Sequence, residues 1–193
     1  MNFTFTKHSQ LPDILLVDGL KKFEDYRGFF FESFRVDEFL SQGIPPFVQE
    51  NHSYSVANTL RGMHYQLNPK AQGKLVYCVS GSILDVVVDI RKESPTYRKS
   101  ISVSLGAHFP RMIYIPPGYA HGFLVDNIYP FSAEVVYKTT EYFYPEYDRC
   151  VRWDDPDINI SWGLMAGDRG KLKISYKDMN APLLKDAENN FLY

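Results

Sequence analysis

Thr59-Leu60-Arg61-Gly62-Met63-His64-Tyr65-Gln66-Leu67-Asn68-Pro69-Lys70-Ala71-Gln72-Gly73-Lys74 is the stretch on which the reading of this chain turns. It reads as the end of one strand, a loop and the start of the next. Two cations, Arg61 and Lys74, bracket a histidine. Residues two apart on a strand share a face, so Arg61 and Met63 are expected on one side and Leu60, Gly62 and His64 on the other. Arg61 would then reach a ligand's edge while His64 lines a cavity. Histidine takes or gives a proton near neutral pH, and a fixed lysine nearby can hold an anion that forms during reaction. The plainer alternative is a partly buried histidine in a sheet with two solvated cations on its rim, and this stretch alone leaves both open.

Outward from it, strand signals dominate. Ile14 to Asp18 reads as a short strand, Phe23 to Gly28 as a turn and Phe29 to Phe34 as a strand with Glu32 among aromatics. Val36 to Leu40 reads as a helical turn or two, stopped by Gly43 and Pro45-Pro46. Phe47 to Ser55 is polar but strand-like. Gln49, Asn51 and Ser53 share one of its faces, as a wet edge or the floor of a polar cavity. Leu75–Val79, a turn at Ser80-Gly81-Ser82 and Ile83–Ile90 read as a hairpin. Ile101 to Leu105 alternates with its apolar side inward. Met112–Ile115, Gly122–Val125 and Ala133–Lys138 continue the series. Short strands at near-regular spacing indicate a sandwich or barrel.

The chain has 193 residues, 45% of them hydrophobic, enough for the core of one domain. Aromatics reach 16%, which favours strands and supplies stacking surfaces for planar ligands. A net charge of -2 does not resemble the basic footprint of a nucleic-acid binder. The N-terminal residues carry no basic region followed by an apolar run, and no segment approaches the length of a membrane span. Cys78 and Cys150, the only two cysteines, read as small apolar residues in or beside strands. A cytoplasmic protein without membrane or nucleic-acid partners is expected.

A second histidine lies in Pro116-Pro117-Gly118-Tyr119-Ala120-His121-Gly122-Phe123. Pro-x-Gly-x-x-His is one half of the usual cupin signature. His64-Tyr65-Gln66 would be the other half, with Gln66 where metal-binding cupins carry a second histidine. That donor set suits a transition metal poorly, so no catalytic metal is expected and the cavity would act through its own organic side chains. Asp85, Asp89 and Asp178 are the acids that could orient a histidine. Asp85 and Asp89 have the same parity and face one way. For Asp89 the plainer reading is favoured, a solvated strand end or a partner of Arg91 or Arg98, and Asp178 on spacing alone reads as a surface acid.

Taken in order, these blocks resemble the dTDP-4-dehydrorhamnose 3,5-epimerase family of cupin-fold sugar-nucleotide epimerases. The resemblance runs through Phe23–Glu32, Val48–Ser53, Leu60–Gln66, Ala71–Val76, Asp85–Arg91 and Ile115–Phe123. It ends with Val136–Lys138, Trp153–Pro156, Ile160–Trp162 and Ser175–Asp178, and so covers most of the chain.

The resemblance implies a catalytic set. His64 would remove a proton from the carbon beside the sugar ketone, with Asp178 as its orienting partner, contrary to the surface reading of that acid. Lys74 would stabilise the enolate oxygen, and Tyr137 would return a proton on the opposite face. His121 and Asp85 would support or touch the substrate, and Lys177 counts among the substrate contacts. Arg27, Glu32, Gln49, Asn51 and Arg61 would grip the nucleotide diphosphate and base, with Arg27 and Glu32 supplied by the neighbouring subunit of a homodimer. The implied fold is an all-β, cupin-type jelly roll (a double-stranded β-helix) with short peripheral helical segments. Residues 1–193 form a single domain in this reading, with 163–193 as a covering segment.

Some positions depart from the family pattern. The segment Asp126–Phe131 is longer, as is that between Trp162 and Asp178. Ser82 replaces a usual glutamate, and Gly163 rather than proline follows Trp162. These differences bear on the sugar and on whether C3, C5 or both are inverted. The alternatives are an epimerase acting at one carbon and a sugar-nucleotide-binding cupin without turnover. A metal-dependent cupin is disfavoured by Gln66.

Overall fold

Alternating side chains assign each strand of this chain two faces, and in the folded molecule both faces of most strands are covered. The structure is a computed structural model that describes residues 3–19, 21–128, 131–164 and 167–193. Tyr129 and Pro130, part of the longer Asp126–Phe131 segment, lie outside the described residues, as do Met1 and Asn2. In chain order the elements are β1 (Thr4–Lys7), β2 (Leu15–Asp18), β3 (Phe23–Asp25), β4 (Gly28–Phe30), α1 (Val36–Leu40), β5 (Gln49–Val56), β6 (Thr59–Gln66) and β7 (Lys74–Ser80). They continue with β8 (Ser82–Asp89), β9 (Ser100–Gly106), β10 (Met112–Ile115), β11 (Tyr119–Val125), β12 (Ser132–Thr139), β13 (Asp148–Cys150), β14 (Lys173–Ile174) and α2 (Tyr176–Met179).

The strands form two facing sheets in the manner of a jelly roll, as expected from the sequence. One runs β1-β2-β10-β7-β12-β5, the other β13-β6-β11-β8-β9 with β14 added in parallel to β6. Between them lies a core built from Val76, Ile83, Val87, Ile101, Val103, Leu105, Ile113 and Val135. The clean alternation of Ile101, Val103 and Leu105 faces inward, as their spacing requires. On the outer face of the second sheet, Leu60, Met63, Val86, Val88 and Leu124 pack against Trp153, Trp162, Leu184 and Phe191 of the C-terminal segment. The outer face of the first sheet packs Val17, Leu75 and Met112 under Phe3, Phe39 and Ile44 around α1. With both faces covered, β8 reads as a continuous apolar run interrupted by two inward acids, Asp85 and Asp89, both fully buried.

Two local expectations are corrected. β7 and β8 are not a hairpin: β7 pairs with β10 and β12, whereas β8 pairs with β9 and β11. Ser80-Gly81-Ser82 instead carries the chain from one sheet to the other. Gly81 has φ +71, and a Cβ there would stand 2.0 Å from the Ser132 carbonyl oxygen, so only glycine fits the crossover. The aromatic strand is also shorter than its composition suggests. β4 ends at Phe30 and forms with β3 a separate two-stranded ribbon, leaving Glu32 outside it.

Candidate active site

A third correction concerns the phase of β6. Leu60, Met63 and Tyr65 all pack in the outer cluster, while Arg61 and His64 both line the cavity between the sheets. A uniform strand cannot do this, because Leu60 and Met63 have opposite parity. The alternation slips at Gly62, where the pairing of β11 with β6 changes register between His121 and Phe123. Two glycines permit the slip. A Cβ on Gly62, whose φ is +134, would lie 2.5 Å from the Gly122 Cα, and one on Gly122 would lie 2.6 Å from the Arg61 carbonyl oxygen. The bulge therefore re-aims a side chain beside a site, a recurrent use of such irregularities.

His64 meets its acid across the fold. Its Nε2 lies 2.7 Å from Asp178 Oδ1, and Oδ2 of the same carboxylate accepts the Gly62 N–H at 3.3 Å. Ser175 caps α2, its Oγ accepting the Asp178 N–H at 3.1 Å, and so sets the acid on the first turn. Burial disfavours the charge on Asp178, but the hydrogen bond and charge of His64, with the Gly62 amide, outweigh it and hold the pKa below the usual value. A carboxylate on Nε2 fixes the tautomer with the proton there and leaves the Nδ1 lone pair free. Asp178 is therefore a buried partner, 3% exposed, not a surface acid.

The facing sheet supplies the other groups. Lys74 opens β7, and Tyr137 lies on β12 opposite Val76 of β7 and Asn51 of β5. The Lys74 ammonium is enclosed by protein while keeping contact with the cavity. Burial lowers its pKa to about 8, against the opposing pull of Asp148 and Asp85, and Nζ reaches the His64 carbonyl at 3.5 Å. Burial also raises the Tyr137 pKa, with Arg61 acting against the shift, so the phenol keeps its proton at neutral pH. A second histidine–carboxylate pair lies deeper: His121 Nε2 is 2.6 Å from Asp85 Oδ2. Burial raises the Asp85 pKa, and its Oδ1 has no hydrogen-bond partner among the described residues.

These groups share one hollow. A cavity of about 300 Å³ is lined by Gln49, Asn51, His64, Lys74, Tyr137 and Asp148. An adjoining pocket shares His64, Lys74 and Tyr137 and adds Ser53, Arg61 and His121. A groove on the other side of His64 carries Arg61, Lys173, Lys177 and Asp178. Arg61 is braced by Ser55 Oγ, which accepts from Nε at 2.9 Å, and Lys177 is ion-paired with Asp148. The Gln49–Asn51–Ser53 face is thus the cavity floor. A larger cavity of about 630 Å³, lined by Leu105, Phe109, Ile128 and the Asp18–Arg111 pair, contains none of these groups.

Arg27 and Glu32 do not join the site within one chain. Arg27 is exposed on the β3–β4 ribbon, 2.6 Å from Asp25, and Glu32 lies 3.9 Å from Arg35. Sequence reasoning missed Asp148, Phe143 and Gln72, which also line the cavity. The aromatic run after Tyr137 and the short strand that follows it were the only signals for the first two. Among the described residues, no group of three or more His, Cys, Asp or Glu is placed to hold a metal ion. Cys78 and Cys150 are buried and unpaired, as expected.

A double-sheet jelly roll with a histidine on one sheet, held by a carboxylate on α2, and a lysine and tyrosine on the other sheet has the make-up of an acid–base isomerase of the cupin class. Residues 8–186 match the model of the dTDP-4-dehydrorhamnose 3,5-epimerase family, and the chain belongs to that family. It is 44% identical over 183 residues to the dTDP-4-dehydrorhamnose 3,5-epimerase of Shigella flexneri, covering 93% of this chain and 96% of the relative. Among solved structures, a dTDP-6-deoxy-D-glucose-3,5-epimerase from Legionella pneumophila in complex with dTDP-4-keto-L-rhamnose superposes with a TM-score of 0.87 at 36% identity, over 95% of this chain and 94% of the other. A double mutant of a 3'-monoepimerase from Streptomyces bikiniensis, in complex with dTDP, gives a TM-score of 0.78 at 31% identity, over 89% and 83%. This protein is a sugar-nucleotide epimerase of deoxysugar biosynthesis.

Proposed function

We propose that the chain inverts C3 and C5 of a dTDP-linked 4-keto-6-deoxy sugar through an enolate, with His64 as base, Asp178 as its orienting partner, Lys74 at the enolate oxygen and Tyr137 as acid. The observation that carries this is the placement of His64 and Tyr137 on opposite sheets of one cavity, with Lys74 lining the same space. His64 Nδ1 takes the proton beside the ketone, and its charge is compensated by Asp178. Negative charge developing on the ketone oxygen is met by the Lys74 ammonium in a low-dielectric wall, where such a cation acts strongly. Tyr137 O–H then delivers a proton to the other face, and inversion results. His121, held by Asp85, lies against the sugar. Arg61, Gln49, Asn51 and Lys177 hold the nucleotide diphosphate and base.

The same reading makes residues 1–193 one domain without a required metal or organic cofactor. It places the protein in the cytoplasm as a homodimer whose Arg27 and Glu32 reach the neighbour's site. Support for the dimer is the β3–β4 ribbon, whose Phe23, Tyr26, Phe29 and Phe30 are all exposed in the single chain. No helix among the described residues is long and apolar enough to cross a membrane.

A one-carbon epimerase is the second reading, favoured by the structural likeness to the 3'-monoepimerase. Incubation with dTDP-linked 4-keto-6-deoxy sugars in D2O separates the two. Deuterium at both C3 and C5 with net inversion is the expected result, label at one carbon establishes the second reading, and no exchange with any candidate leaves only a binding protein.

A further inference from the structure

Gln66 takes no part in the proton transfers, yet its side chain is one of the most fully engaged in the molecule. It is 3% exposed and stands two residues beyond His64 on β6. Its Nε2 donates to the carbonyls of Lys70 and Tyr142, the latter at 3.0 Å, and its Oε1 accepts the Tyr144 N–H at 2.9 Å. Two further glutamines reach the same short segment. Gln49 Oε1 accepts the Phe143 N–H at 2.9 Å, and Gln72 Nε2 donates to the Glu141 carbonyl at 2.8 Å. Every residue from Glu141 to Tyr144 is thus held through its backbone by a glutamine side chain.

The location gives this clip its meaning. β12 carries Tyr137 and ends at Thr139, so the clipped segment lies just beyond the ladder. Backbone groups there would otherwise need water or other partners. Base and acid stand on different sheets, and Gln66 joins the end of the base's strand to the segment that follows the acid's strand. Phe143, half exposed at the mouth, lines the cavity with His64, Lys74 and Tyr137. A metal at Gln66 would have to share the Oε1 that already accepts the Tyr144 N–H, while Nε2 is taken by two backbone carbonyls.

We propose that Gln66 is a positioning residue, which ties the two sheets at the cavity mouth and so sets the spacing of His64 and Tyr137 across the bound sugar and the placement of Phe143 over it. This rests on the roles given to His64 and Tyr137 above. Displacing reacting groups by about 1 Å can cost ~10² in rate, so the span between the sheets matters to turnover.

Gln66→Met has a similar length and none of the hydrogen bonds. Net inversion, solvent deuterium exchange, KM for the nucleotide sugar and the unfolding midpoint are measured side by side with wild type and His64→Ala. The ratio of inversion to exchange is expected to fall about tenfold with KM rising, since the acid and the mouth shift while the base stays beside Asp178. Exchange and inversion falling in parallel with KM unchanged would reduce Gln66 to a structural residue, and wild-type values would remove the clip. Either result, with His64-dependent exchange intact in wild type, leaves the acid–base reading standing. A wild type that exchanges nothing removes both. Where Gln66→Met does not fold, Gln72→Met releases the Glu141 end alone and must shift the same ratio.

Discussion

Asp178 Oδ1 lies 2.7 Å from His64 Nε2, a contact between residues 114 positions apart that joins the C-terminal covering segment to the strand carrying the base. In the proposed mechanism the covering segment therefore belongs to the catalytic apparatus as well as to the outer core. His64→Ala is expected to lose about 10² or more in exchange at every carbon that wild type labels, the lower end for a positioned base. Asp178→Asn keeps the shape but lets the imidazole adopt the wrong tautomer, and should fall between that variant and wild type. Binding of the nucleoside diphosphate, measured by calorimetry, should change little in either, since Arg61 and its neighbours hold that end. Activity of His64→Ala within about tenfold of wild type would sink the assignment.

Tyr137→Phe is expected to separate two signals. The base still removes the proton, so exchange with retention persists while net inversion falls steeply. NMR of the recovered sugar nucleotide in D2O reads both. Equal loss of the two would make Tyr137 a packing residue.

Lys74 sets the alkaline limit. The ammonium must be charged to hold the enolate, and burial lowers its pKa to about 8, so the rate should decline above that pH. Lys74→Met should lose the ~10²–10³ in kcat typical of one oxyanion donor. Its stability runs the other way. Between about 8 and the ordinary lysine value of 10.5 the unfolded chain binds more protons than the folded one, so this group's contribution to stability rises with pH over that window. Lys74→Met is expected to unfold at pH 7 no earlier than wild type. A marked loss of stability in that variant would contradict the burial argument.

Metal removal should leave turnover unchanged. The motive is Gln66, whose amide is bound to the backbone in the place where metal-binding cupins hold a histidine. Activity before and after chelation, with metal content measured by plasma spectrometry, is the check. A stoichiometric transition metal whose removal abolishes turnover would refute it.

The exposed β3–β4 ribbon gives the last prediction. Replacing Phe29 and Phe30 by serine is expected to shift the protein from dimer to monomer in sedimentation at micromolar concentration. Arg27→Ala should raise KM with kcat little changed. A wild-type monomer with undiminished substrate affinity would rule out a site shared between subunits.

Local pattern alone was enough for much of this protein. Alternation placed Ile101, Val103 and Leu105 inward, and the shared parity of Gln49, Asn51 and Ser53 put them together on the cavity floor. Asp85 and Asp89 took the same face for the same reason, and Asp89 pairs with Arg91 at 2.7 Å. The ordered blocks around His64, Lys74, His121 and Tyr137 carried the family. Side-chain direction on a regular strand follows from the backbone and needs no distant information.

What the tertiary structure decided lies where the regular repeat breaks or where contacts span the chain. The slip at Gly62 turned Arg61 and His64 to the same side, because two glycines approach more closely than any side chain would allow. Ser80-Gly81-Ser82 looked like a hairpin turn and became a crossover, since a turn's sequence says how the chain bends and not which strand it will next pair with. On spacing alone Asp178 read as a surface acid and only the family resemblance set it beside His64, a pairing that the fold supplies at 2.7 Å, and Gln66 stood in the place of a ligand histidine with nothing in the local pattern to show that its amide holds the segment after Tyr137. Each of these depends on backbone groups far away in sequence, and only packing two sheets and a C-terminal cover together brings those groups within hydrogen-bond reach.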